Sequence, residues 1–223
     1  AFRPHPEIQV MIDRFIDEKI NTDEEDRGGI MVLHARVEPD MQNHPVCKDK
    51  KVKNVTDIIE SLYKHFPEPP VSSVVMVFNR DLLEALVSKD ITPTMNANKE
   101  LRESFEDDSV RKLTIYNLRA INDYVEHGLW GGRVQVVEAG SKLVQQVSTD
   151  PWYRHYSNIV GGILNFFLAI QSDIFVGTEV SSHSSLVSNS RFYRGARKSY
   201  FYRPTGLHPA TPINATKPHR FVC

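Results

Sequence analysis

The chain has 223 residues, 40% of them hydrophobic and 25% charged, the proportions of an ordinary globular domain. Its 27 lysines and arginines against 28 aspartates and glutamates leave a formal charge of -1, so no general basic excess recruits nucleic acid and any anion site has to be local. The longest apolar stretch, NIVGGILNFFLAI, is shorter than a bilayer span and carries two asparagines, which argues against a transmembrane helix.

In chain order, residues 7–20 place Ile8, Met11, Ile12, Phe15, Ile16 and Ile20 at helical spacing with charges between them, which predicts an amphipathic helix. The acidic NTDEEDRGG breaks it, so residues 1–29 read as an N-terminal helix and linker. IMVL follows as a short continuous apolar run of the kind buried in a parallel sheet. VTDIIESLYKHF is the next helix, capped by Asn54 or Thr56 and ended by PEPP. SSVVMVF, residues 72–78, predicts a second buried strand, with the helix DLLEALVS behind it. Residues 90–112 are polar and read as a loop with a short helix. A helical pattern then runs through LTIYNLRAINDYVEH, a third strand through RVQVVEA, a long apolar helix through SNIVGGILNFFLAI, and a fourth strand through DIFVG, residues 173–177.

Strands alternating with helices in this way predict an α/β fold with a doubly wound, parallel, Rossmann-like sheet over residues 30–199. Such sheets bind ligands at the carboxyl ends of their strands. From residue 200 the text YFYRPTGLHPATPINATKPHRFVC has no periodicity and many prolines, and reads as an extended C-terminal tail.

Two constellations fall at strand ends. The first strand runs into His34, Arg36, Glu38 and Asp40, and in an extended chain residues two apart share a face. A guanidinium there can grip a phosphate or carboxylate through two parallel hydrogen bonds. The structural alternative is that Arg36 pairs with Glu38 or Asp40 while His34 caps a backbone group. The second constellation, SDIFVGTEVSSHSSLVSNSRF, takes a strand through Gly177 and Thr178 into serines that open a helix. Hydroxyls and free N–H groups at a helix start suit an anion, or simply cap the helix through Ser181 or Ser182.

VLHARVEPDMQNHPVC resembles the His-x-Arg-x-Glu-x-Asp-Met run, followed by a Cys, of plant-type O-fucosyltransferases related to the GDP-fucose protein O-fucosyltransferases. DIFVGTEVSSHS is similar to that family's C-terminal strand–turn–helix motif, and the two motifs stand in the family's order, about 140 residues apart. The resemblance implies the C-terminal, GDP-fucose-binding half of a GT-B glycosyltransferase, inverting and independent of a bound metal. Consistently, no Asp-x-Asp occurs in the chain. By position, it implies that Arg36 holds the donor pyrophosphate and stabilises departing GDP, with His34 supporting it. Asp173 would lie near base or ribose, and Thr178, Ser181 and Ser182 on the phosphates. The acceptor would be a protein or glycan hydroxyl, and the compartment the Golgi or endoplasmic reticulum lumen, with any membrane attachment through an anchor upstream of this sequence. The chain departs from the family at Ala35, where a bulky aliphatic residue is usual, and at His183, where an aromatic residue often stands. The family's N-terminal half, with its Gly-Gly-x-Asn turn, has no counterpart in residues 1–29. Two alternatives stay open: a non-catalytic nucleotide-sugar or glycan-binding module, and a GT-B transferase using another sugar nucleotide.

Other residues carry weaker signals. Asn79 follows the second strand and either contacts a nucleotide or caps the helix after it. Cys47 and Cys223 are too few for a disulfide scaffold but leave room for one bridge, and His44 beside Cys47 lacks an orienting group for nucleophilic chemistry. Asn54 and Asn214 lie in glycosylation sequons. DPWYRHY interleaves aromatics with Arg154 and His155, which suits stacking on a base or sugar or packing as a loop before the apolar helix. RFYRGARKSYFYR is locally basic and aromatic, a composition also seen where single-stranded nucleic acid binds but, without wider positive charge, read as a solvated face or a contact for an anionic headgroup or glycan.

Overall fold

The computed structural model describes residues 3–20, 28–40, 52, 54–90, 99–139, 157–196 and 198–210. The elements in chain order are α1 (Pro6–Lys19), β1 (Ile30–His34), α2 (Val55–His65), β2 (Ser73–Val77), α3 (Arg80–Ser88), α4 (Lys99–Glu106), α5 (Asp108–His127), β3 (Gln135–Glu138), α6 (Ser157–Gln171), β4 (Ile174–Gly177), α7 (Ser182–Tyr193), β5 (Ser199–Arg203) and β6 (Gly206–Pro209). The strands form one six-stranded sheet in the order β3-β2-β1-β4-β5-β6, parallel except for the last pair. This is a Rossmann-like α/β sheet, and its strand order reverses between β1 and β4, the switch point at whose carboxyl edge sheets of this kind take ligands.

Alternation along each strand sorts the core into two faces. Met31 and Leu33 of β1, Val74 and Met76 of β2, and Ile174 and Val176 of β4 pack with Ile58, Ile59 and Leu62 of α2 and Ile121 of α5. Val32, Val75, Val77 and Phe175 point the other way, onto Ile12 and Phe15 of α1, Leu164 and Leu168 of α6, and Val187 of α7. Residues two apart share a face and neighbours do not, so a parallel sheet covered on both sides needs the continuous apolar runs seen in the sequence. Each fully buried aliphatic or aromatic side chain contributes about 1.5–3 kcal/mol. Helix α1 therefore belongs to the core of this sheet.

Three expectations need correction. Residues 200–209 are not an extended tail: Ser199–Arg203 pairs in parallel with β4, and Gly206–Pro209 turns back antiparallel beside it. The hairpin turns through Pro204 and Thr205 into Gly206, whose φ of 113° suits only glycine. Proline is tolerated because β6 is the sheet's edge, where a missing N–H faces no strand. The short helix expected within residues 90–112 is α4, but the next helix starts earlier than its pattern from residue 113 indicates, because Asp107 accepts from Ser109 N at 2.8 Å and caps α5 at Asp108; residues 91–98 lie outside the described residues. Finally, β1 stops at His34. Val37 N bonds back to Ala35 O, a γ-turn centred on Arg36, so the extended alternation expected to carry His34, Arg36 and Glu38 along one face does not hold.

Cys47, Cys223, His44, the DPWYRHY stretch and the Asn214 sequon lie outside the described residues. No helix among the described residues is long and apolar enough to cross a membrane.

Candidate functional site

The ends of β1, β2 and β4 meet at the switch point. His34, the last residue of β1, is buried, and its Nδ1 lies 2.7 Å from Ser184 Oγ, in the first turn of α7. Ser181 is the N-cap of that helix, accepting from Ser184 N at 3.5 Å, while Ser184 Oγ accepts from Thr178 N at 3.2 Å. The loop between β4 and α7 is thus tied to β1 by one serine. Gly177 permits the approach: a Cβ there would stand 2.5 Å from Ser184 Oγ and 2.8 Å from Phe175 Cζ.

After the γ-turn, Arg36 meets two carboxylates. Its Nη1 lies 2.8 Å from Glu38 Oε2, an ion-pair contact without hydrogen-bond alignment, and its Nη2 donates to Asp40 Oδ2 at 2.5 Å. Burial works against the guanidinium's charge, but Glu38 and then Asp40 outweigh it, and its pKa ends above the usual value. Glu38 is fixed in turn, since its Oε1 accepts from Asn79 N at 3.0 Å. Asp40 Oδ1 is enclosed without a hydrogen-bond partner.

Tyr202 of β5 closes the arrangement from beneath. Its hydroxyl accepts from Arg36 N at 2.9 Å and donates to His34 O at 3.3 Å, so a residue of the misread tail holds the turn that aims Arg36. Burial pushes its pKa well up, keeping the phenol protonated. The His183 ring packs 4.8 Å from that of His34, and Phe166 lies 6.2 Å beyond it. Both histidines titrate low. For His34 burial comes first, then His183 and Arg36; for His183, burial and then Arg36. At neutral pH both rings are uncharged, and the fixed charges around them are Arg36, Glu38 and Asp40.

Of the residues singled out from sequence, His34, Arg36, Glu38, Asp40, Thr178 and Ser181 come together here. Ser182 lies beside them but points out to solvent. Asn79 takes the capping role: its side chain accepts from Leu82 N at 3.1 Å and only its backbone N–H reaches Glu38. Asp173 does not join the group. It precedes β4, so it stands at the sheet's opposite, amino edge, where its carboxylate accepts from Ile30 N at 2.8 Å. Ser184, His183 and Tyr202 had no assigned role in the sequence reading. The serine lies 150 residues from the histidine it touches, a pairing that no local spacing encodes.

Chemically, the arrangement offers one partly exposed guanidinium, the buried hydroxyls of Ser181 and Thr178, and a helix N-terminus, all at the carboxyl-edge switch point where doubly wound sheets take nucleotides. Among the described residues no group of three or more His, Cys, Asp or Glu is placed to hold a metal ion. No family model matches the chain, and no curated protein matches it.

Proposed function

We propose that this chain is the donor-binding half of a glycosyltransferase of O-fucosyltransferase type, built as the C-terminal half of a GT-B enzyme. In this reading it takes GDP-fucose at the switch point and passes the sugar, with inversion, to a protein or glycan hydroxyl in the Golgi or endoplasmic reticulum lumen. The observation that carries it is the meeting of the two motifs: His34 and Ser184, 150 residues apart in sequence, touch at the edge where folds of this kind bind ligands.

In this reading Arg36 grips the pyrophosphate. Sugar transfer passes through an oxocarbenium-like state while negative charge grows on the leaving phosphate, and a preorganised cation stabilises that charge. The guanidinium has five N–H donors, and here one hydrogen bond goes to Asp40 with Glu38 in contact, so an incoming phosphate has donors left to take. The helix N-terminus at Ser181 faces the second phosphate. The experiment is calorimetric titration of GDP into the chain and into Arg36→Ala: binding lost in the variant supports the reading, and equal affinity sinks it.

One observation favours a non-catalytic nucleotide-sugar or glycan-binding module instead. Two carboxylates already balance Arg36, which lowers its value for a charge developing during reaction. Assaying this chain beside a longer one for GDP-sugar hydrolysis and transfer separates the two readings. Competition between GDP-, UDP- and ADP-sugars decides which nucleotide the site prefers.

A further inference from the structure

Ser184 is the hydrogen-bond partner of His34 Nδ1, and its other bonds limit where the ring can carry its proton. Ser184 is fully buried, and a hydroxyl has one proton and two lone pairs. One lone pair accepts from Thr178 N. If His34 carried its proton on Nδ1, that N–H would fill the second lone pair, and the hydroxyl proton would have no acceptor, since Ser184 Oγ has no partner besides Thr178 N and His34. A buried donor left unmatched is disfavoured, whereas the opposite arrangement gives the Ser184 hydroxyl proton an acceptor in Nδ1 and fills Nδ1 at the same time.

We infer that Ser184 donates to His34 Nδ1 and locks the ring as its Nε2–H tautomer, making Ser184 the positioning residue that turns His34 into a neutral hydrogen-bond donor for a phosphate or hydroxyl oxygen of the ligand. Nε2 has no protein partner and is not among the enclosed unpartnered atoms, so its N–H is left for a ligand to meet. The lock depends on close approach, which Gly177 provides by leaving Ser184 Oγ the space a Cβ would fill. It also explains why a histidine can stand beside Arg36: a neutral donor adds an N–H to an anion site without a second positive charge to repel the first. The tautomer follows from the protein alone, while the ligand-facing half of the inference rests on the donor reading.

Nitrogen-15 NMR of the histidine-labelled chain tests it, with His34 assigned by comparison with His34→Gln. At pH 7 the wild-type ring is expected to be a single tautomer, protonated at Nε2 and bare at Nδ1, and in Ser184→Ala to become a mixture of both. A wild-type proton on Nδ1, or an unchanged single tautomer in Ser184→Ala, overturns the lock. Should Ser184→Ala not fold, Ser184→Cys, whose thiol donates more weakly, is expected to give an intermediate mixture, and an unchanged tautomer there also overturns it. On adding GDP, the Nε2 resonance is expected to shift, and Ser184→Ala to bind about tenfold more weakly than wild type. GDP binding without a shift at Nε2 overturns the ligand-facing half. Absence of GDP binding in the wild type overturns the donor reading instead and leaves the tautomer result to stand on the spectra.

Discussion

Arg36 and Arg191 stand at opposite edges of the same sheet and are held in opposite ways. Arg191, on α7, is fully buried, and its acceptors are neutral: Ser199 Oγ, Ser172 Oγ, and the carbonyls of Ala169, Ile170, Ser172, Asp173 and Lys198. Those carbonyls include two in the last turn of α6, Ala169 and Ile170, at the negative end of its dipole, so the guanidinium caps one helix and ties it to β4 and β5. Burial lowers its pKa to about 10, which leaves it charged at neutral pH. Arg36 instead has a side chain 23% exposed and held by two carboxylates on its own turn. A cation solvated by fixed backbone has no freedom to exchange partners, so its role is to hold the fold. A cation held by side chains that can rotate is able to trade one carboxylate for a ligand's phosphate.

The contrast is broken most severely at Arg191. Arg191→Met leaves several buried carbonyls unmatched and is expected to cost about 3–5 kcal/mol in urea unfolding, without selectively changing ligand affinity in whatever folded protein remains. Arg36→Ala is expected to do the reverse. GDP binding and any transfer should fall about 100- to 1000-fold, on the order of 2.7–4 kcal/mol, as read by calorimetry and steady-state kinetics, with a smaller loss of stability from leaving Glu38 unpaired. A result in which Arg36→Ala unfolds the chain as readily as Arg191→Met would erase the distinction.

Intermediate effects sharpen it. Gly177→Ala should cost about 1–3 kcal/mol by overpacking, because its Cβ would fall 2.5 Å from Ser184 Oγ; thermal unfolding reads this directly. Tyr202→Phe removes a bond to each side of the Arg36 turn and should cost a similar or smaller amount, about 1–3 kcal/mol, and weaken GDP binding by loosening the turn.

The smallest effect is in the pH profile. His34 and His183 have folded pKa values below the ordinary 6.5, so between 6.5 and the lower folded value the unfolded chain binds more protons than the native one. Stability is therefore full above pH 6.5 and declines as pH falls below it. Melting curves from pH 8 to 5 should show this decline before most carboxylates titrate, and His34→Gln should flatten it. A slope unchanged by His34→Gln would mean that the ring is not buried neutral.

How much of this was legible depended on the range over which each signal acts. The apolar runs IMVL, SVVMV and IFVG disclosed a parallel sheet because burial on both faces leaves a mark in consecutive residues. The charged end of β1 announced Arg36, and the capping chemistry of Ser181 and Asn79 was readable within four residues of each. The Arg36 turn was not, since extended alternation was assumed past the last ladder bond. Asp173 was placed at the ligand edge by motif position alone, although a residue entering a parallel strand stands at the amino edge. Tyr202 was hidden by the prolines around it. Their composition resembles a tail, whereas the partners that make SYFYR a strand lie in β4.

The central claim is that one edge of this sheet binds and the other only holds. Hydrogen–deuterium exchange with and without GDP tests it most directly. Protection is expected at residues 34–40 and 177–184, around Arg36 and the Ser181 helix start at the carboxyl edge, with no change at 171–174 or 191–199 around Arg191. Protection at the amino edge, or no protection at either edge at saturating GDP, would contradict it.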